Sequence, residues 1–284
     1  MAAHPGERLA SKPQEMKTDM NTMAEQRAAG GGYAFDDAQV DEFRRRGHTI
    51  LPGLFSSEEM AERRPALRDY VMSVWRRMSL AEQSSGASAT QTNFSLGDAP
   101  AEVVDFVTSP RLGEVAARFL GVDGVRIMHF CGFFKPGGGA ATPWHQDLSY
   151  MPLDTEKVLS IWIPITDVAP DMGSLIFAEG SHLQGALKVP AVDRGFTVVR
   201  NGPMRAGDAS LHMGWTLHGA LKNSSGQLRE AITIGCYADG ARIRLDDDAP
   251  LIMRNFLESY FPGLAPGDLA AGPLTPVIYS RRPA

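Results

Sequence analysis

The sequence predicts a β-sandwich or jelly roll flanked by helices. Two observations carry that reading: short apolar runs alternate with turn signals from about Val125 onward, while the first third of the chain carries helical patterns with caps. The spacing between the strands gives no repeat, so a single domain is expected over residues 34–284. A chain of 284 residues can bury a substantial core, and its 43% hydrophobic and 21% charged residues are ordinary for a globular protein.

Residues from Met1 to about Tyr33 are rich in Ala, Gly, Met, Lys, Glu and Gln and end in Gly30-Gly31-Gly32. Such a stretch has too little apolar surface to offset its ordering entropy, and it reads as a flexible tail. Asp36 and Asp37 are placed to cap a helix running through Phe43 to about Arg46, which Gly47 ends. A strand is expected over His48–Leu54. Ser56 with Glu59 three residues later is a capping-box signature for a second helix, with an interruption expected at Pro65. A further helix is expected over Ala101–Leu120, ended by Gly121. The expected strands are Val125–Phe134, Val158–Ile165, Ser174–Ala178, Phe196–Arg200, Ala209–Met213 and Ala231–Tyr237. Turn signals separate them, among them Pro136-Gly137-Gly138-Gly139, Gly180-Ser181, Asn201-Gly202 and Gly207-Asp208.

A formal net charge of −5 argues against a nucleic-acid or anionic-membrane surface. There is no run of about eighteen apolar residues, so no transmembrane helix is expected. The N-terminus lacks the apolar stretch of a secretory signal, which points to a cytoplasmic location. Cys131 and Cys236 lie far apart inside apolar segments and read as buried free thiols rather than zinc ligands or a redox pair. Oligomeric state is not legible.

Trp144-His145-Gln146-Asp147 is the most informative stretch. In an extended segment residues i and i+2 share a face, so His145 and Asp147 project together while Gln146 points away. An imidazole beside a carboxylate makes two ligands of a divalent-metal site. A third can come from a later strand, and both His212 and His218 are placed for it. Two histidines and one carboxylate form the facial triad that leaves positions open on Fe(II). His-x-Asp alone recurs by chance. Arg229 adds weight: eleven residues beyond His218 and just before an apolar strand, its guanidinium can pair with the far carboxylate of a chelating dicarboxylate.

Trp144-His145-Gln146-Asp147, Trp162, Gly207-Asp208, His218-Gly219 with Asn223, and Arg229 together resemble the phytanoyl-CoA dioxygenase family over about Asp36 to Gly240. The resemblance implies a double-stranded β-helix core that uses Fe(II), with 2-oxoglutarate and O2 as co-substrates. It implies His145, Asp147 and His218 as iron ligands and catalytic residues, with Arg229 on the distal carboxylate of 2-oxoglutarate. Trp162 and Thr142 match positions lining the co-substrate site in relatives, and Gln146 is grouped with them. Where the phytanoyl-CoA enzyme has a serine two residues after the distal histidine, this chain has Ala220; Thr142 is the candidate substitute. Halogenating relatives have a small residue in place of the carboxylate ligand, and Asp147 fills that position here.

Each of these residues has a plainer reading. His4 and His48 need no functional role, and His182 reads as fixing a turn. His129 is balanced between core packing and pocket lining. Arg229 without the rest of the motif reads as a structural ion-pair partner, Asp208 as a turn residue, and Asp246-Asp247-Asp248 as a solvated loop. Phe133, Tyr150, Met213 and Trp215 flank the expected ligands as candidate substrate contacts or as core.

The reaction implied is oxidation of an unactivated C–H bond: hydroxylation by default, with desaturation, epimerisation or ring closure as variants. Pro136–Thr142 and Leu148–Thr155 carry no Lys or Arg, whereas CoA phosphates call for clustered cations. The expected substrate is therefore a bulky, largely apolar, polycyclic small molecule of the kind that bacterial members of the family tailor in antibiotic biosynthesis. An acyl-CoA hydroxylase is the alternative within the family. A zinc hydrolase with the same ligands and a binding protein with a vestigial site are the alternatives outside it.

Overall fold

Two antiparallel sheets face each other and hold the site between them. The computed structural model describes residues 33–77, 90–187 and 195–281. Most of the stretch read as a tail, residues 1–32, lies outside the described residues.

Helix α1 (Asp37–Arg46) starts at Asp36, whose side chain accepts from the Ala38 amide, and ends at Gly47 in the left-handed region, φ 83°. The strand that follows, β1 (His48–Leu51), is three residues shorter than expected. In α2 (Ser57–Arg77) the capping box forms in both directions, with Glu59 N–H to Ser56 Oγ at 3.1 Å and Ser56 N–H to Glu59 Oε2 at 2.7 Å. Pro65 does not interrupt α2, contrary to expectation: it and Ala61, whose carbonyl loses its partner, are exposed, so water can take the place of the missing bond. The helix expected over Ala101–Leu120 is two, α3 (Ala101–Val107) and α4 (Pro110–Leu120). Pro110 disfavours helical geometry at Ser109 but suits a helix's first position, so one helix ends and another begins there.

The larger sheet comprises β1, β2 (Thr90–Phe94), β3 (Gly124–Phe134), β5 (Val158–Pro164), β8 (Ala209–Met213), β10 (Ala231–Ala238) and β11 (Val277–Ser280). Its order is β1-β8-β5-β10-β3-β11, with β2 also on β3. The smaller sheet is β4-β9-β6-β7, from β4 (Thr142–His145), β6 (Leu175–Ala178), β7 (Val198–Arg200) and β9 (His218–Ala220). This is the expected jelly roll, and the expected strands lie close to the observed ones. Four elements are new: the short strands β2, β4, β9 and β11. So is helix α5 (Leu251–Tyr260), beyond the last expected strand.

Between the sheets lies a core of Trp162, Val168, Met172, Leu175, Phe177, Met204, Ala220 and Ala231. His48 closes one side of it: its ring stacks on Phe177 with centroids 4.5 Å apart, and it is buried rather than near the surface as expected. On the outer face α4 buries Leu112, Val115, Phe119 and Leu120, and Phe119 meets Phe43 of α1 edge-on at 5.1 Å. Among the described residues no helix is long and apolar enough to cross a membrane.

Period-two alternation decides the charges at the start of β10. Arg229 faces inward, and Glu230 faces α2, where it accepts from Arg64 Nε at 2.8 Å and Arg68 Nε at 2.7 Å. Glu230 is 2% exposed, while both arginines are nearly half-exposed. Glu230→Ala is expected to lower unfolding free energy by about 1.5–3 kcal/mol, the range for hydrogen bonds to a charged group, and no more because the arginines can return to water. Chemical denaturation of the two proteins measures this, and a change below about 0.5 kcal/mol, the scatter of ordinary surface substitutions, contradicts it.

Candidate metal centre

Strand register brings the two histidines together. Along β4 and β9, Thr142 lies opposite Ala220 and His145 opposite His218, with an irregularity between Thr142 and His145. Gln146 continues the chain in extended geometry, φ −123° and ψ 122°, and Asp147 opens a short 3-10 turn that runs to Tyr150. His145, Asp147 and His218 each offer one ligand atom, and these atoms lie within 4.8 Å of one another. Asp147 Oδ1 stands 3.4 Å from His145 Nε2 and 3.7 Å from His218 Nε2, beyond ordinary hydrogen-bond length.

The surroundings set which nitrogen faces inward. His145 Nδ1 lies 2.9 Å from the Pro143 carbonyl and His218 Nδ1 2.9 Å from the Thr216 carbonyl. A carbonyl only accepts, so each Nδ1 carries a proton and each ring is oriented with Nε2 toward Asp147. The outer oxygen of Asp147 is held separately. Ser160 Oγ donates to Oδ2 at 2.6 Å, and His212 Nε2 lies 3.1 Å from the same oxygen. Ser160 and His212 are register partners on β5 and β8, so one cross-strand pair clasps one oxygen.

The electrostatics agree with this arrangement. Burial pushes the Asp147 carboxyl upward, but His218, His145 and His212 together outweigh it and hold the group well below the usual range. For His218, burial and then the neighbouring His212 and His145 keep the imidazole well below its ordinary value, hence neutral. Burial opposes protonation of His145 too, yet the neighbouring carboxylate of Asp147 prevails and raises its pKa. One carboxylate with two imidazoles turned inward by Nε2 is a donor set that fits a divalent cation, which would displace the proton that Asp147 favours on His145.

The triad opens on a cavity of about 330 Å3. Thr142, Trp162 and Arg229 line it, as do Phe133 and Tyr150. Arg229 is 1% exposed; it donates to the Gly173 carbonyl, its Cζ stands 5.4 Å from the Trp162 ring centroid, and its Nε has no partner. Burial alone pushes its pKa down to about 10, with no carboxylate to restore it. The ion-pair reading of Arg229 fails here, because the adjacent Glu230 belongs to Arg64 and Arg68.

Three expected contacts lie elsewhere. Gln146 does not reach the cavity: buried behind the triad, it donates to the carbonyls of Gly185 and Trp215 and accepts from the Leu187 amide. Alternation on β8 sends His212 inward and turns Met213 to the opposite face. Trp215, just past that strand, packs against the Leu148–Met151 core cluster and lines a separate cavity. His212, weighed as a third ligand, stands behind Asp147. His182 bonds the Arg44 carbonyl at 2.9 Å, so it ties its turn to the end of α1.

Other lining residues escaped sequence reasoning or were left open by it. His129 and Cys131 share the inward face of β3 with Phe133. A Cβ at Gly235, the register partner of His129, would stand 2.6 Å from the His129 ring, so glycine at that position makes room for the imidazole. Ile252 and Phe256 reach the cavity from α5. Their signal was the i, i+4 spacing of Ile252, Phe256 and Tyr260 after Pro250.

A jelly roll with two imidazoles and a carboxylate turned onto an internal cavity is the architecture of the non-haem iron, 2-oxoglutarate-dependent dioxygenases. Within that class the chain belongs to the phytanoyl-CoA dioxygenase (PhyH) family, whose model matches residues 43–231. A curated relative, the probable alpha-ketoglutarate-dependent hypophosphite dioxygenase of Stutzerimonas stutzeri, is 27% identical over 153 residues. That match covers 48% of this chain and spans about half (52%) of the relative. Among solved structures, the non-haem alpha-ketoglutarate-dependent carbocyclase SnoK from nogalamycin biosynthesis superposes with a TM-score of 0.71 at 22% identity, over 87% of this chain and 99% of that one. The epimerase SnoN, in complex with Fe3+, alpha-ketoglutarate and nogalamycin RO, gives a TM-score of 0.67 at 23% identity, over 85% and 98%.

Ser160→Ala removes the shortest bond to Asp147 and leaves every inward-facing atom in place. It is expected to weaken Fe(II) binding about 10–100-fold, the usual effect of losing an outer partner of a metal ligand, with an unchanged circular dichroism spectrum. Anaerobic metal titration measures this, and an affinity equal to that of the parent protein contradicts it.

Proposed function

We propose that this chain is an Fe(II)- and 2-oxoglutarate-dependent oxygenase in which His145, Asp147 and His218 hold the iron and Arg229 holds the distal carboxylate of 2-oxoglutarate. One observation carries the reading: a cavity with a divalent-cation donor set on one wall also has a buried guanidinium without a carboxylate partner. A zinc hydrolase with the same three ligands has no use for that cation.

Bound there, iron with 2-oxoglutarate and O2 supplies an oxidant for an unactivated C–H bond, releasing succinate and CO2. The chain does the rest. Arg229 offers two parallel donors to a carboxylate and is kept in place by the Gly173 carbonyl and the Trp162 ring. Leu175, Trp162 and Ala220 give the co-substrate end of the cavity apolar walls, which strengthens that charge pair. Ser160 and His212 fix the orientation of Asp147.

The substrate in this reading is a bulky, largely apolar, polycyclic small molecule from specialised metabolism. Phe133, Tyr150, Met151, Ile252 and Phe256 supply the apolar wall, and His129 is the polar group set among them. Among the described residues Arg229 is the one Lys or Arg lining the cavity, which argues against recognition of the phosphates of an acyl-CoA. The likeness of the fold to SnoK, from nogalamycin biosynthesis, and to SnoN, solved with nogalamycin RO, supports the same substrate class.

Fe(II) and 2-oxoglutarate added without oxygen are expected to give the visible charge-transfer band of the chelate. His145→Ala and Asp147→Ala should each abolish it; a full band in either variant overturns the ligand assignment. Arg229→Ala should weaken 2-oxoglutarate binding by about 2–5 kcal/mol, the range for truncating one partner of a buried charge pair, with Fe(II) affinity little changed. An affinity within about threefold of the parent, roughly 0.65 kcal/mol, means that another group is the anchor. Substrate-triggered succinate release, compared between acyl-CoA thioesters and polycyclic polyketides or terpenoids, tests the substrate class. Coupling to the thioesters alone overturns it.

A further inference from the structure

We propose that Lys135 is a positioning residue of the co-substrate carboxylate site, acting through the hydroxyl of Thr142. The inference rests on the assignment of Arg229 to that carboxylate and extends it.

Lys135 and Arg229 form an antiparallel bridge in which each backbone N–H donates to the other's carbonyl, at 2.8 and 2.9 Å. Residues paired in this way carry their side chains on one face of the sheet, and like charges directly opposite each other are destabilising. Here both are also buried, at 0% and 1% exposure. Burial, and then Arg229, push the Lys135 amine down to about 7. Among the described residues no carboxylate pairs with either group, and neither gains a charge that would offset burial. Two adjacent buried basic groups with no counter-charge among the described residues fit a bound anion, whose charge would hold the lysine protonated.

The amine does not line the cavity itself. Its Nζ donates to the Leu221 carbonyl at 2.9 Å and to Thr142 Oγ1 at 3.3 Å. Gly173 allows this approach, because a Cβ there would meet Lys135 Cδ at 3.1 Å. Thr142 does line the cavity, as do Arg229 and Ala220. A hydroxyl has one proton to donate. With Lys135 occupying an acceptor lone pair of Thr142, that proton is free to point at an anion beside Arg229. Thr142 is the register partner of Ala220, so its hydroxyl comes from the strand directly facing the alanine. Lys135 thus orients one neutral donor and adds a second positive charge behind it.

The test compares two ligands of the Fe(II) protein by anaerobic titration: 2-oxoglutarate, and 2-oxovalerate, which has the same chain length without the distal carboxylate. Lys135→Met and Thr142→Val should each reduce the preference for 2-oxoglutarate over 2-oxovalerate by about 10- to 100-fold, the range for a hydrogen bond to a charged group. Affinity for 2-oxovalerate should stay near that of the parent. Adding Ala220→Ser to Thr142→Val should restore most of the preference by supplying the hydroxyl from the facing strand. A merely structural Lys135 would weaken both ligands alike, and that result overturns the proposal, as does a preference within threefold of the parent. Arg229→Ala run alongside separates the two claims. Loss of preference there but not in Lys135→Met defeats this inference alone; unchanged preference in Arg229→Ala defeats the anchor assignment beneath it.

Discussion

The carboxylate of Asp147 is the point on which the two sheets converge. One oxygen faces His145 and His218 from the smaller sheet and its edge; the other is clasped by Ser160 and His212 from the larger sheet. The rings around it are crowded, with His145–His218 centroids 4.2 Å apart and His212–His218 centroids 4.1 Å apart. The polar groups turned onto Asp147 favour its ionised form, which explains why burial does not neutralise it. The sheets are locked at this place by polar bonds and elsewhere by the apolar contacts of Trp162, Phe177 and their neighbours.

Strand alternation then distributes the remaining polar groups. Arg229 enters the cavity because Glu230 does not, and Glu230 can stay buried because α2 brings two arginines to it. His212 enters because Met213 does not. On β3 the same alternation lines up His129, Cys131 and Phe133, and Gly235 on the next strand leaves the space that the His129 ring occupies. A shift of one residue in the β3–β10 register would exchange inward and outward groups, moving the cation of Arg229 out of the cavity.

The cavity has two parts of different origin. The end bearing the triad and Arg229 is built from strands within the region that matches the family, residues 43–231. Ile252 and Phe256 come from α5, beyond that region, and Phe256 and Tyr260 pack against His129 with centroids 5.7 and 5.6 Å away. A wall supplied by one amphipathic helix can change its side chains without disturbing the register that assembles the metal site. This separation lets substrate choice vary while the iron chemistry stays the same.

Much of this was legible in the residues themselves. Caps at Asp36 and Ser56, the terminator Gly47 and most strands follow from local rules, because a cap or a period-two pattern is satisfied by neighbours in the chain. The triad was legible as well, since His145 and Asp147 need only an extended Gln146 between them, and family resemblance supplied His218. What the chain could not settle was how residues distant in sequence meet. Gln146, Met213 and Trp215 look like site residues by proximity in sequence, yet strand alternation and packing turn them away from the cavity. Lys135 looks like a loop lysine until the bridge to Arg229 places it under the same roof. The two short strands that bear the histidines are too brief to show a period, and their pairing exists only once the sheets close. Chain-local geometry is written in adjacent residues; register across strands, and hence which buried charges share a cavity, is decided by the tertiary fold.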